Sequence, residues 1–195
     1  MFPLVYLARH GQTAWNVEYR LQGQADVPLD EEGRRQATAN GRHLAGLISD
    51  PDAFDFVASP MVRTRATMEL MRAAMGLDPA AYRTDPRLME MNFGEWQGFT
   101  MAELERRRPG STRGRGPEKW DFVPPGEHAE SYQMLLVRVR PFFEELVRPT
   151  VCVTHGGVIR ALFRMVEKLP KSAAARVDTP QDRILRLKDG KLEWL

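Results

Sequence analysis

Leu4-Val5-Tyr6-Leu7-Ala8-Arg9-His10-Gly11 sets an uninterrupted apolar run directly against a cation, an imidazole and a glycine. A short apolar run closed by glycine reads as a buried strand, about Leu4 to Ala8, with polar chemistry at its carboxyl end. The pattern returns near the other end of the chain. Thr150 to Thr154 (TVCVT) is a second such run, and His155-Gly156-Gly157 follows it. A third strand candidate, Phe54 to Ala58, leads into Ser59-Pro60, read as an N-cap followed by proline at the first helical position. The helix opened there extends to about Met75.

Working outward, the same alternation fills the chain. Asp30 caps a long helix that ends near Ile48, with Leu44, Leu47 and Ile48 on its apolar face. A short strand falls near Tyr82 to Thr84. Helices are expected at about Thr100 to Arg107, Glu130 to Leu146 and Gly157 to Glu167. The terminal RILRLKDGKLEW is two alternating runs around Asp189-Gly190, a hairpin signal. Alternating strands and helices specify an α/β fold, a three-layer α/β/α sandwich with a mostly parallel sheet and a closing antiparallel β-hairpin at the C-terminus. Ligands bind such sheets at the carboxyl ends of strands, so Arg9-His10, Ser59 and His155 should converge on one pocket.

With 195 residues the chain suits a single domain, residues 1–195. Residues 91–126, with Gly94, Gly98, Pro109, Gly110, Pro117, Pro124 and Pro125, are the least regular part and read as a lid or substrate loop. No apolar run approaches the ~20 residues that span a bilayer, so no membrane partner is expected. The N-terminus lacks a basic leader, and a cytoplasmic location is the default. A net charge of +2 is too small to imply nucleic-acid binding. The basic run from Arg106 to Arg115 is either a solvated helix end, the reading preferred here, or a rim that attracts an anion. RNA binding ranks below both, because no aromatic residues interleave with the arginines. The single cysteine, Cys152, reads as a buried structural thiol. His10, His43, His128 and His155 form no close pair at metal-ligand spacing, so no metal and no cofactor is expected.

The chemistry gathers in three pieces. Arg9 offers a planar fork of donors suited to phosphate, and Gly11 lets the backbone approach a ligand. Arg63 sits in the first turn of a helix that starts at a strand end, where a cation opposes the helix dipole unless an anion is bound. His155 repeats the His-Gly arrangement of His10. Two imidazoles and two guanidiniums in one pocket make a phosphoryl site without metal.

Arg9-His10-Gly11-Gln12-Thr13-Ala14-Trp15-Asn16, with Gln22-Gly23 after it, resembles the signature of the histidine phosphatase superfamily, in the cofactor-dependent phosphoglycerate mutase-like branch. Ser59-Pro60-x-x-Arg63-Thr64 is similar to its second motif. Leu88-Met89-Glu90-Met91-Asn92-Phe93-Gly94-Glu95-Trp96-Gln97-Gly98 is similar to its acid loop, and Thr154-His155-Gly156-Gly157 to its last motif. The resemblance implies a phosphoglycerate mutase-like fold and assigns roles. His10 attacks phosphorus in its neutral form and becomes phosphohistidine. Arg9, Arg63 and His155 hold the phosphoryl oxygens, and Asn16 donates a further hydrogen bond. Glu90 protonates the leaving oxygen and then takes a proton from water, for which it needs a raised pKa; Glu95 is the fallback. Gln22, Gly23 and Gly156 touch the substrate by family position. His43 reads as structural. His128 reads as a substrate contact or as part of a solvated loop.

The resemblance leaves the acceptor to be decided. Relative to the mutases the chain is short, ends at its hairpin without their C-terminal tail, and has Phe93 in place of their tyrosine. The Arg106 to Arg108 cluster does not match their substrate-binding arginines residue by residue. The expectation is a phosphatase acting on a small phosphorylated substrate such as a sugar phosphate or the ribazole phosphate of cobalamin assembly. A phosphoglycerate mutase is the first alternative. A catalytically silent binding module is the second, disfavoured because His10, Arg9, Arg63, Glu90 and His155 are all present. The sequence leaves monomer and homodimer equally open. Phe93, Trp96, Phe99, Trp120 and Phe122 read as the packed core of the lid, in preference to an apolar wall of the pocket.

Overall fold

The computed structural model describes residues 2–116 and 118–195; Met1 and Pro117 lie outside the described residues. Six strands form one sheet: β1 (Val5–Arg9), β2 (Asp55–Ala58), β3 (Arg83–Thr84), β4 (Thr150–Thr154), β5 (Ile184–Lys188) and β6 (Lys191–Trp194). Their order is β3-β2-β4-β1-β5-β6. The first four run parallel, and β5 and β6 close the sheet antiparallel, as the hairpin signal requires.

The helices are α1 (Ala14–Val17), α2 (Glu31–Leu47), α3 (Val62–Ala74), α4 (Met101–Arg107), α5 (Tyr132–Glu144), α6 (Gly156–Val166) and α7 (Lys171–Ala174). Period-2 alternation assigns each strand residue to a face. Val5, Leu7, Val57, Cys152, Leu185 and Leu187 pack with the apolar residues of α5 and α6. Tyr6, Ala8, Phe56, Ala58, Val151, Val153 and Ile184 pack with Leu44, Ile48, Met68 and Met71 on the side of α2 and α3. Strands buried on both faces read as near-continuous apolar runs, which is why these were legible. Cys152 is fully buried at the sheet's centre, facing Leu7 and Val57 across the two ladders.

Two local expectations are corrected. Ser59 does not cap α3. The chain bends at Pro60 and Met61, and Met61 occupies the cap position with no side-chain hydrogen bond, while Asp26 Oδ1 accepts from Val62 N at 2.8 Å. On α2, Asp30 is the cap, accepting from Gly33 N at 2.8 Å. Leu44 and Ile48, one turn apart, face the sheet, while Leu47 falls at the edge of that stripe and is 37% exposed.

The stretch 91–126 is irregular, with α4 between two short 3-10 turns at Gly94–Trp96 and Arg113–Arg115. It is anchored from below. Trp96 and Trp120 are buried and Phe93 nearly so, Trp96 stacks on Phe122 at 5.1 Å, and Phe99 and Phe122 pack against the same cluster. These aromatics are core, as expected.

Candidate active site

Because β2, β4 and β1 are neighbours, their carboxyl ends lie side by side. The ladders continue one step past each strand: His10 N donates to Thr154 O at 2.9 Å and Ser59 N to Val153 O at 3.0 Å. This brings His10 and His155 together, with ring centroids 5.2 Å apart.

His10 is buried, and its Nδ1 lies 2.8 Å from Gly11 O. A carbonyl oxygen only accepts, so Nδ1 carries the proton and Nε2 keeps a free lone pair. Burial, and then the charges of Arg63 and Arg9, hold this imidazole well below the usual histidine range, so it is neutral. His155 is fully buried and likewise held low, first by burial and then by Arg63. Its Nε2 pairs with Ser59 Oγ at 2.8 Å, and its Nδ1 has no partner.

The two guanidiniums are fastened on one side and bare on the other. Arg9 Nη1 donates to Thr179 O at 2.9 Å and to Thr179 Oγ1 at 3.4 Å. Arg63 is fully buried and donates through Nη2 to Gly23 O at 2.7 Å and through Nη1 to Ala25 O at 2.8 Å. Burial lowers the Arg63 pKa to about 10, against the opposing pull of Glu90 and Asp26. Among the described residues, the buried side-chain polar atoms without a partner are Arg9 Nε, Arg63 Nε, His155 Nδ1 and Gln22 Oε1. All four belong to residues of the sequence-predicted site. Buried nitrogens left bare in this way ask for an acceptor that the protein itself does not supply.

Asn16 belongs to α1, whose N-cap Thr13 forms a capping box with it. Its Oδ1 accepts from Thr13 N at 3.1 Å and from Gln181 Nε2 at 3.1 Å, which leaves Nδ2 as the donor free to meet a ligand. Gly23 adopts φ +53 and offers its carbonyl to Arg63. Gly156 begins α6, and a Cβ there would stand 2.9 Å from Thr179 Oγ1.

Glu90 lies at the N-terminus of α6. Its Oε2 accepts from Gly157 N at 3.0 Å and its Oε1 from Met91 N at 2.9 Å. His155 occupies the cap position of α6 without a capping side chain, so this carboxylate from another segment serves as the cap. The fit requires a glycine, since a Cβ on Gly157 would come within 2.0 Å of Glu90 Oε1. Arg138, on α5, holds the acid loop from behind. It donates to Arg87 O at 2.8 Å, Met89 O at 3.0 Å and Glu90 O at 3.2 Å, and it pairs with Glu130 at 2.8 Å. Glu95 is exposed, and its backbone packs on Pro125 and Gly126. His43 is an exposed residue of α2, and His128 is exposed with φ +59 beside Glu127.

Sequence reasoning passed over several residues. Thr179 holds Arg9, and Gln181 Nε2 donates to His10 O at 3.0 Å. Both sit in a polar segment before β5 that has neither periodicity nor motif. Ser59 joins His10 and His155 at the strand ends as expected, and its hydroxyl pairs with His155, a tie that the cap reading does not contain. Arg138 lay inside an amphipathic helix with nothing to mark it. The solvated reading of the basic run holds for Arg106, Arg107 and Arg108, which are exposed, but Arg115 turns inward over the Phe93 ring at 5.2 Å.

Comparison with known proteins agrees with this architecture. The histidine phosphatase superfamily (branch 1) profile matches residues 5–194. A glucosyl-3-phosphoglycerate phosphatase of Mycobacterium tuberculosis is 36% identical over 177 residues, covering 84% of this chain and 75% of that protein. A 2,3-bisphosphoglycerate-dependent phosphoglycerate mutase of Cytophaga hutchinsonii is 28% identical, covering 90% of this chain and 83% of the other. Among solved structures, mycobacterial glucosyl-3-phosphoglycerate phosphatase in complex with VO3 superposes with a TM-score of 0.78 at 31% identity, covering 99% of this chain and 96% of that one.

Proposed function

The chain belongs to branch 1 of the histidine phosphatase superfamily, and on that premise we propose that it is a phosphomonoester hydrolase in which His10 carries the phosphoryl group of a small phosphorylated metabolite to water. The observation that carries the reading is the set of bare buried nitrogens on Arg9, Arg63 and His155 around a neutral His10.

The reaction proceeds in two displacements. His10 Nε2 forms a bond to phosphorus as the bond to the ester oxygen breaks, and Glu90 acts as the general acid that gives a proton to the leaving oxygen. Arg9 Nε, Arg63 Nε, His155 and the Asn16 amide take up charge on the phosphoryl oxygens. Water then attacks phosphorus as the bond to Nε2 breaks, and its proton returns to Glu90. No metal enters either step. Gln22, Gly23 and Gly156 border the bound substrate. The whole chain, residues 1–195, acts as a single domain in the cytoplasm, and 91–126 covers the site.

The test is hydrolysis of p-nitrophenyl phosphate in EDTA. Activity is expected to persist, and His10→Ala to lower kcat by about 10⁴-fold or more. A strict divalent-metal requirement, or near-wild-type turnover by the variant, would overturn the reading. The mutase relative supplies a second reading, that a substrate hydroxyl replaces water. Interconversion of phosphoglycerates that needs 2,3-bisphosphoglycerate and outruns phosphate release would favour it.

A further inference from the structure

The side-chain amide of Gln181 joins two groups of the phosphoryl site. Its Nε2 donates to His10 O at 3.0 Å and to Asn16 Oδ1 at 3.1 Å, so both of its hydrogens are committed. A carbonyl oxygen only accepts, which fixes the end of the Gln181 amide that faces His10. Asn16 is fixed in the same way. Thr13 N only donates, and it lies 3.1 Å from Asn16 Oδ1, with Thr13 Oγ1 at 3.1 Å from the same atom. With Gln181, three donors converge on Oδ1, and the Asn16 amide is left one orientation.

Gln181 also closes a frame around the nucleophile. The peptide unit between His10 and Gly11 is held at both ends. Gln181 takes the His10 oxygen, and Thr67 Oγ1 accepts from Gly11 N at 3.0 Å while donating to Arg63 O at 2.8 Å. The next carbonyl, Gly11 O, is the one that receives the His10 Nδ1 proton at 2.8 Å. A tilt of this peptide would therefore carry the imidazole with it and re-aim Nε2. Gln181 is itself braced from α2, where the buried Asn40 donates through Nδ2 to Gln181 O at 3.0 Å. Two positions earlier, Thr179 holds Arg9.

We infer that Gln181 is a positioning residue for phosphoryl transfer: through one amide nitrogen it aims the His10 nucleophile and orients the Asn16 donor. The inference rests on the phosphohydrolase reading and deepens it.

Two substitutions test it. Gln181→Met keeps the stem and removes the donor. Gln181→Glu keeps the shape and sets an acceptor against two acceptors. Misaimed groups cost more in the transition state than in the bound ground state. On p-nitrophenyl phosphate, Gln181→Met is expected to lower kcat about tenfold with KM within about twofold. Gln181→Glu is expected to lower kcat about a hundredfold, because the Asn16 amide turns over and presents its oxygen to the phosphoryl group. Vanadate, which takes up the transition-state geometry, should bind Gln181→Met about tenfold more weakly, and inorganic phosphate no more than about twofold more weakly. Thermal-shift titration reads both ligands without turnover. In an Asn16→Ala background the further loss from Gln181→Met should fall to about threefold or less, since part of its effect runs through Asn16. Asn40→Ala, which frees the Gln181 carbonyl, should repeat the vanadate effect at about threefold and carries the test should a Gln181 variant fail to fold. Turnover and vanadate binding unchanged in the folded variants, equal weakening of vanadate and phosphate, or losses that multiply in full with Asn16→Ala would overturn the inference. Absence of hydrolysis by the unsubstituted protein counts against the phosphohydrolase reading alone, while the vanadate and phosphate shifts still decide the part of Gln181.

Discussion

Two regions meet at the mouth of the site, and they are built on opposite plans. At the strand ends, His10, Ser59 and His155 hang directly on the β1–β4–β2 ladders; the His10 ring is tied to a backbone carbonyl, and the Ser59 and His155 side chains are tied to each other. In the 91–126 stretch the backbone is irregular, and order comes from below, from Trp96, Trp120 and Phe93 sunk into the core. Chemistry that tolerates little displacement sits on hydrogen-bonded ladders. The 91–126 stretch is instead held by apolar anchors, and its polar side chains are less constrained. Arg107 and Arg115 belong to one basic run, and each lays its guanidinium on an aromatic ring, Arg107 over Phe99 at 4.0 Å and Arg115 over Phe93 at 5.2 Å; of the two only Arg115 is half-buried.

The comparison can be broken from either side. The largest effect is expected at an anchor: Trp96→Ala should destabilise the fold by about 3–5 kcal/mol in urea titration, and a loss under about 1 kcal/mol would mean that the stretch is draped over the core without being anchored in it. The strand-end region is sensitive to acid. His10 and His155 are held neutral in the fold but regain an ordinary value near 6.5 on unfolding. Below that pH the unfolded chain binds protons that the folded chain refuses, so stability is complete above it and falls as pH drops, by up to about 1.4 kcal/mol per pH unit for each histidine. Urea midpoints at pH 7.5 and 5.5 should diverge, and His10→Asn should shallow the slope; a flat profile would contradict the neutral pair.

A smaller effect is expected where the regions join. Arg138→Lys cannot reach the carbonyls of Arg87, Met89 and Glu90 together, and should lower kcat about tenfold on alkyl phosphates. It should scarcely affect 2,4-dinitrophenyl phosphate, whose leaving group needs no proton. Equal losses on both would show that Arg138 does not act through Glu90. Smallest of all, Arg106→Ala should change stability by no more than about 0.5 kcal/mol and leave turnover intact, since the side chain is exposed.

Legibility in the sequence followed the same divide. Strands buried on both faces announced themselves as apolar runs, and the glycines after His10 and His155 marked where polar chemistry begins. Ser59 was legible as a strand-end pocket residue but not as a partner of His155: a serine before a proline is a common helix start, and the tie to His155 spans 96 positions of sequence. Thr179 and Gln181 were invisible for a related reason. Their work is to accept from Arg9 and to donate to His10 across 170 and 171 positions, which leaves no period and no spacing. Arg138 hid within a helix whose pattern explained it as a polar face.

The seat of Glu90 on the first turn of α6 reaches into the chain's mutational history. At position 157 any residue larger than glycine would drive its Cβ against the carboxylate oxygen at 2.0 Å. A saturation scan scored on growth or turnover would mark Gly157 as intolerant as a catalytic residue, although its part is only to leave room. The alleles open to this helix are set by an acid that lies 67 positions away in the chain.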